Sequence, residues 1–263
     1  MSALPYPFLT ETFLEALEES GSACSDSGWE PVHLTLSDGE TDCFMPLYLK
    51  DHSMGEYVFD HAWANAYHQN GLEYYPKLVT AVPFTPSTGS RLRCSEGLNQ
   101  KHCRQIIDEV INIAEDTEAS SWHILFPEEN DIKLFDDPRL LKRTGVQYHW
   151  MNKNYQCFDD YLAGMTSRKR KMIKKERDEI QKQNIEIEVL LGADISTEIW
   201  QLFYRLYERT YAKRNGTRGY LTETFFQRIA KGMPEQIAMS VATQDGQPIA
   251  CALYLFDSDT LYG

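Results

Sequence analysis

Long apolar runs are missing from this chain. No window approaches about 18 uncharged apolar residues, which excludes a membrane-spanning helix. Cations are missing from its start: the first twenty residues carry four Glu and no Lys or Arg, the reverse of a signal or transit peptide. Cysteine is thinly used. The six (Cys24, Cys43, Cys94, Cys103, Cys157, Cys251) form no Cys-x-x-Cys pair, and in 263 residues they read as reduced thiols of a cytoplasmic protein, not as a disulfide frame or a zinc site. There is no Gly-x-Ser-x-Gly elbow, no P-loop and no Gly-x-Gly-x-x-Gly, so hydrolase, kinase and dinucleotide-binding readings lose their usual anchors. His61 and His68 share a helix face without a third ligand near in sequence, so no metal is expected. No solenoid-length repeat or low-complexity tract occurs.

What is present is globular. The chain is 42% hydrophobic, 12% aromatic and 25% charged, enough for a sizeable core in one large domain or two ordinary ones. Its net charge of −13 is unevenly spread: residues 1–130 hold 6 Lys and Arg against 21 Asp and Glu, whereas the remainder holds 20 against 18. An acidic half repels polyanions at long range, which argues against duplex DNA as a partner. A phosphorylated ligand must be met by the second half, where Arg168 to Lys182 packs eight basic residues against three acids.

Periodicity and turn chemistry give the elements. Thr10 caps a helix with the apolar face Phe13, Leu14 and Leu17, ended by Gly21. Val32–Leu36 and Cys43–Leu49 flank an Asp38-Gly39 hairpin turn, and Glu56–Phe59 reads as a short strand. A helix over Ala62–Gln69, a strand over Leu78–Phe84, a helix from Leu98 to about Ala114 and a strand over Trp122–Phe126 follow. Pro138 opens a short helix that Gly145 ends, and Val146–Trp150 is a strand. The second half predicts a helical region over Phe158–Gln183, a strand at Ile185–Leu191 and helices at Thr197–Lys213 and Thr222–Lys231. Strands Ile237–Thr243 and Ile249–Phe256 then flank Asp245-Gly246, and a last strand starts at Thr260. The class is α+β, in two halves joined near Gln156 to Asp160 (1–157 and 158–263). A strand that stops after four residues is an odd ending, and the chain reads as a fragment of something longer.

Three stretches could carry chemistry. Thr166 or Ser167 caps a helix whose first turn then holds Arg168, Lys169, Arg170 and Lys171, with Lys174 one turn on. Cations there oppose the helix dipole, whereas a bound phosphate would satisfy both the free N–H groups and the side chains. The alternative is a solvated basic helix paired with Glu176, Asp178 and the acidic first half. Val82–Arg91 precedes a helix as a pyrophosphate-binding turn would, but Pro83 and Pro86 remove donors, and a rigid structural turn is the other reading. Tyr74, Tyr75 and Lys77, with Glu56, Tyr57 and Asp60, could line an acceptor cleft in which burial raises a carboxylate to serve as general base. Ordinary packing aromatics with surface charges is the alternative there. Lys77 and Arg91 are further candidates for holding phosphate.

The order of elements in each half resembles overlapping portions of the GNAT acyltransferase topology. Thr166-Ser-Arg-Lys-Arg-Lys-Met-Ile-Lys-Lys-Glu-Arg177, Phe203-Tyr-Arg-Leu-Tyr207, Lys213-Arg-Asn215, Tyr220-Leu-Thr-Glu-Thr-Phe-Phe226 and Asp245-Gly-Gln-Pro-Ile-Ala250 resemble the second domain of the Fem aminoacyltransferases. More closely, the whole chain is similar to the FemAB-like family of peptidoglycan biosynthesis or recognition proteins. The matching stretches are Met45-Pro-Leu-Tyr-Leu-Lys50, Gly55-Glu-Tyr-Val-Phe-Asp60, Tyr74-Tyr-Pro-Lys77 and Val82-Pro-Phe-Thr-Pro86 with Gly89 and Arg91. Gln147-Tyr-His-Trp150 with Asn152, and Leu261-Tyr-Gly263, complete the set. The resemblance implies two GNAT-like domains in tandem, 1–157 and 158–263, the second incomplete at its C-terminal end. It also implies transfer of an acyl or aminoacyl group to a small-molecule or peptide amine, with acyl-CoA or aminoacyl-tRNA as donor and therefore tRNA as a possible partner. The alternative is a non-catalytic module that recognises a phosphorylated cell-wall precursor through the same basic helix.

Overall fold

The computed structural model describes residues 3–37, 39, 41–95 and 97–263. In chain order its elements begin with α1 (Glu11–Glu19), β1 (Glu30–Pro31), β2 (Leu34–Ser37), β3 (Asp42–Met45), β4 (Tyr48–Lys50), α2 (His61–Gln69) and β5 (Lys77–Thr80). Next come β6 (Arg93–Cys94), α3 (Gln100–Asp116), β7 (Trp122–Ile124), α4 (Glu129–Leu134), α5 (Phe158–Ala163) and α6 (Ser167–Lys182). The last are β8 (Ile185–Leu191), α7 (Thr197–Asn215), α8 (Glu223–Gly232), β9 (Ile237–Gln244), β10 (Gln247–Phe256) and β11 (Leu261–Tyr262). The protein is thus mixed α+β, with three sheets ordered β1-β4-β5-β7, β2-β3-β6 and β11-β10-β9-β8 among the described residues. No helix among them is long and apolar enough to cross a membrane.

Local chemistry explains most boundaries. The Thr10 hydroxyl accepts from the Phe13 N–H at the start of α1, and Thr166, Ser196 and Thr222 do the same for α6, α7 and α8. The β9–β10 hairpin turns through Asp245 and Gly246, both at positive φ, the backbone that a two-residue hairpin loop requires. β2 pairs with β3 as expected, although Asp38 of the turn lies outside the described residues. The run Cys43–Leu49 serves two sheets: Pro46 lacks an N–H, and after it Tyr48–Lys50 joins β1 and β5 instead.

Four expectations need correction. Glu56–Phe59 is no strand; Tyr57 has φ +57°, and the segment is an irregular loop. Pro138 opens no helix; the helix here is α4, which begins nine residues earlier, at Glu129. Val146–Trp150 alternates apolar and polar residues as a strand would, yet among the described residues its backbone pairs with no strand, and Tyr148 is 95% exposed. Periodicity reports a face and not a partner for it. Finally, not every cysteine is free: Cys43 and Cys94 stand opposite each other on β3 and β6 and are joined as a disulfide across 51 residues of sequence. Sequence spacing carries no sign of that register.

The larger apolar core draws on both ends of the chain. Phe13, Leu14 and Leu17 of α1 pack with Phe225, Phe226 and Ile229 of α8 and with Ile237, Met239 and Val241 of β9. The same cluster contains Trp29, Tyr48 and Val79. Ser22 and Thr222 exchange hydrogen bonds, and Arg228 pairs with Glu19. A second core lies beneath α3, where Cys103, Ile106, Ile107 and Val110 cover Leu47 and Leu78.

Candidate functional site

β4 and β5 pair antiparallel with Lys50 directly opposite Lys77, so both side chains leave the same face of the sheet. Both are wholly buried. Tyr48 and Val79, two residues away on each strand, fill the core on that face, and the period of two carries the lysines inward with them. Two buried ammoniums side by side demand compensation, and the 51–60 loop supplies it. The Lys77 ammonium donates to Glu56 Oε2 at 2.9 Å, to Asp60 Oδ2 at 2.6 Å and to Ser53 Oγ at 2.8 Å, which uses all three of its N–H bonds. The Lys50 ammonium donates to the carbonyls of Gly28 (2.9 Å) and Met54 (3.2 Å) and lies 3.7 Å from the Trp29 ring centroid. Gly55, at φ +80°, lets the loop pass: a Cβ there would sit 2.6 Å from the Phe84 ring.

Asp60 is the focal acceptor. Its Oδ2 also takes hydrogen bonds from Tyr74 (2.7 Å) and Ser53 (2.9 Å), and the Tyr75 hydroxyl meets Ser53 at 2.8 Å. Burial alone would raise the Asp60 carboxyl, but the bonds from Lys77, Tyr74 and Ser53 outweigh it and hold the group below its usual range. For Glu56 burial wins over the attraction of Lys77, and its carboxyl is raised. Burial lowers Lys50 to about 7, and the neighbouring Lys77 adds to the effect. His123, which faces the Tyr74 ring, is pushed down to about 4 by burial and stays neutral. Glu56 Oε1, Asp60 Oδ1 and Trp29 Nε1 are buried without a hydrogen-bond partner among the described residues. The arrangement is a buried polar network of two lysines and two carboxylates. It has no open face, since Glu56 is 3% and Asp60 1% exposed.

The sequence-predicted phosphate residues do not converge. Lys77 has no donor left for phosphate. Arg91 is wholly buried, with its guanidinium on the carbonyls of Leu125, Ser90 and Ser87, and its backbone N–H donates to Asp131 Oδ2. Burial pushes that Asp131 carboxyl up to about 6. The Val82–Arg91 stretch is thereby knitted onto the end of β7. Arg168, Lys169, Arg170, Lys171 and Lys174 lie together on α6, which buries no residue. Arg170 donates to the carbonyls of Met165 and Ala163, and Lys174 pairs with Asp159 at 3.0 Å. Among the described residues, the exposed side chains of Arg168, Lys169 and Lys171 form no ion pair. Lys50, Ser53 and His123 were not among the expected site residues. The available signal for Lys50 was its parity with Tyr48.

A family model described as peptidoglycan biosynthesis/recognition, FemAB-like, matches residues 2–263, nearly the whole chain. The chain belongs to the FemAB-like family. No curated protein matches it. Among the described residues of this FemAB-like protein, no group of three or more His, Cys, Asp or Glu is placed to hold a metal ion.

Proposed function

We propose that this FemAB-like protein is an acyl- or aminoacyltransferase of cell-wall peptide metabolism, built on tandem GNAT-type halves, with its donor's phosphates held at the start of α6. The family match over residues 2–263 carries this reading. The unpaired cations of α6 support the location: they sit where free N–H groups and a positive helix end favour an anion. In the reaction the acceptor amine attacks the carbonyl carbon of a thioester or aminoacyl ester. An amide bond forms, the C–S or C–O bond breaks, and the amine's proton leaves with the thiol or hydroxyl released.

A second reading, a non-catalytic module for a phosphorylated cell-wall precursor, is favoured by one observation. Both carboxylates near Tyr74 are closed off from solvent, so neither stands free as a general base. The test incubates the protein with radiolabelled acetyl-CoA or charged tRNA and a nucleotide-linked cell-wall precursor, and measures label in amide linkage. Transfer by wild type that is lost in Arg168→Glu/Lys171→Glu supports the transferase and its site. Precursor binding with no transfer from either donor selects the recognition module. A donor bound as tRNA weakens steeply with salt, whereas a single pyrophosphate contact does not.

A further inference from the structure

A cleft of about 940 Å³ opens between α2 and α3. α2 buries none of its nine residues, and its aromatic side turns toward this cleft instead of the core. Trp63 is 49% exposed and Tyr67 lies beside it; Ile111 on α3 is 38% exposed, and Trp122 contributes to the lining. The volume falls within the range of small-molecule sites, roughly 300–1,000 Å³, and a lining of large apolar side chains open to water marks an apolar ligand.

The charges at its border choose the ligand's sign. Arg139 is already paired with Asp108 and Asp137. Among the described residues Lys142 and Arg143 form no ion pair, and the Arg143 guanidinium lies 5.6 Å from the Trp63 ring centroid, held over the apolar wall. Glu115 and Glu118, at and just beyond the last turn of α3, also border the cleft and turn an anion away from that end. The floor is neutral: the Tyr74 hydroxyl donates a hydrogen bond to Asp60, and His123 is uncharged and hydrogen-bonded to Ser121.

We propose that this cleft binds an anionic amphiphile, its hydrocarbon chain between Trp63 and Ile111 and its carboxylate or phosphate head on Lys142 and Arg143. The proposal uses no part of the transferase reading. The probe is octyl phosphate below its micelle concentration, followed by the indole N–H signals of Trp63 and Trp122 in nuclear magnetic resonance. Saturable shifts are expected, weakened at least about tenfold in Arg143→Glu and in Ile111→Glu and retained in Ile111→Met. Ile111 is partly exposed, so unchanged thermal melts verify that each variant is folded. A second arm measures co-sedimentation with phosphatidylglycerol vesicles: binding that Arg143→Glu abolishes assigns a membrane-borne head, and its absence beside octyl phosphate binding assigns a free acyl anion. Equal binding of octyltrimethylammonium, indifference to Arg143→Glu, or no saturable shift overturns the proposal.

Discussion

Lys77 holds two carboxylates in a dry interior, and its removal isolates them. Replacing one partner of a buried ion pair leaves an uncompensated charge, which costs about 3–5 kcal/mol. Lys77→Met should therefore unfold at markedly lower denaturant, and Lys77→Met/Asp60→Asn should recover part of the loss, both read from urea midpoints at constant slope. Lys50 makes a different prediction. Its folded pKa of about 7 lies below the roughly 10.4 of an unfolded lysine. Between those values the unfolded chain binds a proton that the folded one lacks, so stability rises with pH, by up to about 1.4 kcal/mol per unit. Urea titrations at pH 7 and 9.5 should show this rise in wild type and its flattening in Lys50→Met. Equal slopes in both would remove Lys50 from the linkage. The sequence brought Lys77, Glu56, Asp60, Tyr74 and Tyr75 to notice together. It placed them on a cleft wall, because composition assigns charges to surfaces, whereas the β4–β5 register carries Lys77 inward and the 51–60 loop brings Glu56 and Asp60 to it.

α6 sets local preference against placement. Its first turn is cationic at the positive end of the helix, an arrangement that costs about 0.3–1 kcal/mol for each charge. Arg168→Glu/Lys169→Glu should accordingly raise the melting temperature slightly while lowering affinity for a phosphorylated ligand by at least about tenfold. A variant that is both more stable and equally good at binding would show the basic turn to be a solvated face. Helices of this kind were legible because Thr10 and Thr166 announce their starts through side-chain chemistry, as Ser196 and Thr222 also do in the structure. Val146–Trp150 was not, since a strand exists only when a second strand supplies hydrogen bonds, and that partner is not encoded within the segment.

At the scale of the whole molecule, elements far apart in sequence share one core. α1 closes against α8 and β9, and the cluster they form continues through Tyr48 and Val79 into the sheet that carries the two lysines. Reading elements in order gave the mixed class and most of the element order. The contacts of Phe13 with Phe225, or of Ser22 with Thr222, join positions about 200 apart that no local pattern relates. A continuous core predicts shared cooperativity. Ile229, wholly buried on α8, loses packing on both sides when truncated, and Ile229→Ala should cost about 2–5 kcal/mol. If the core transmits that loss, amides of β4 and β5 should exchange faster by the same factor as those of β9 and β10, measured by native-state hydrogen exchange in the most protected class. Acceleration confined to β9 and β10 would mean that residues 158–263 open as their own unit, and that the cluster joins two separately stable bodies instead of one.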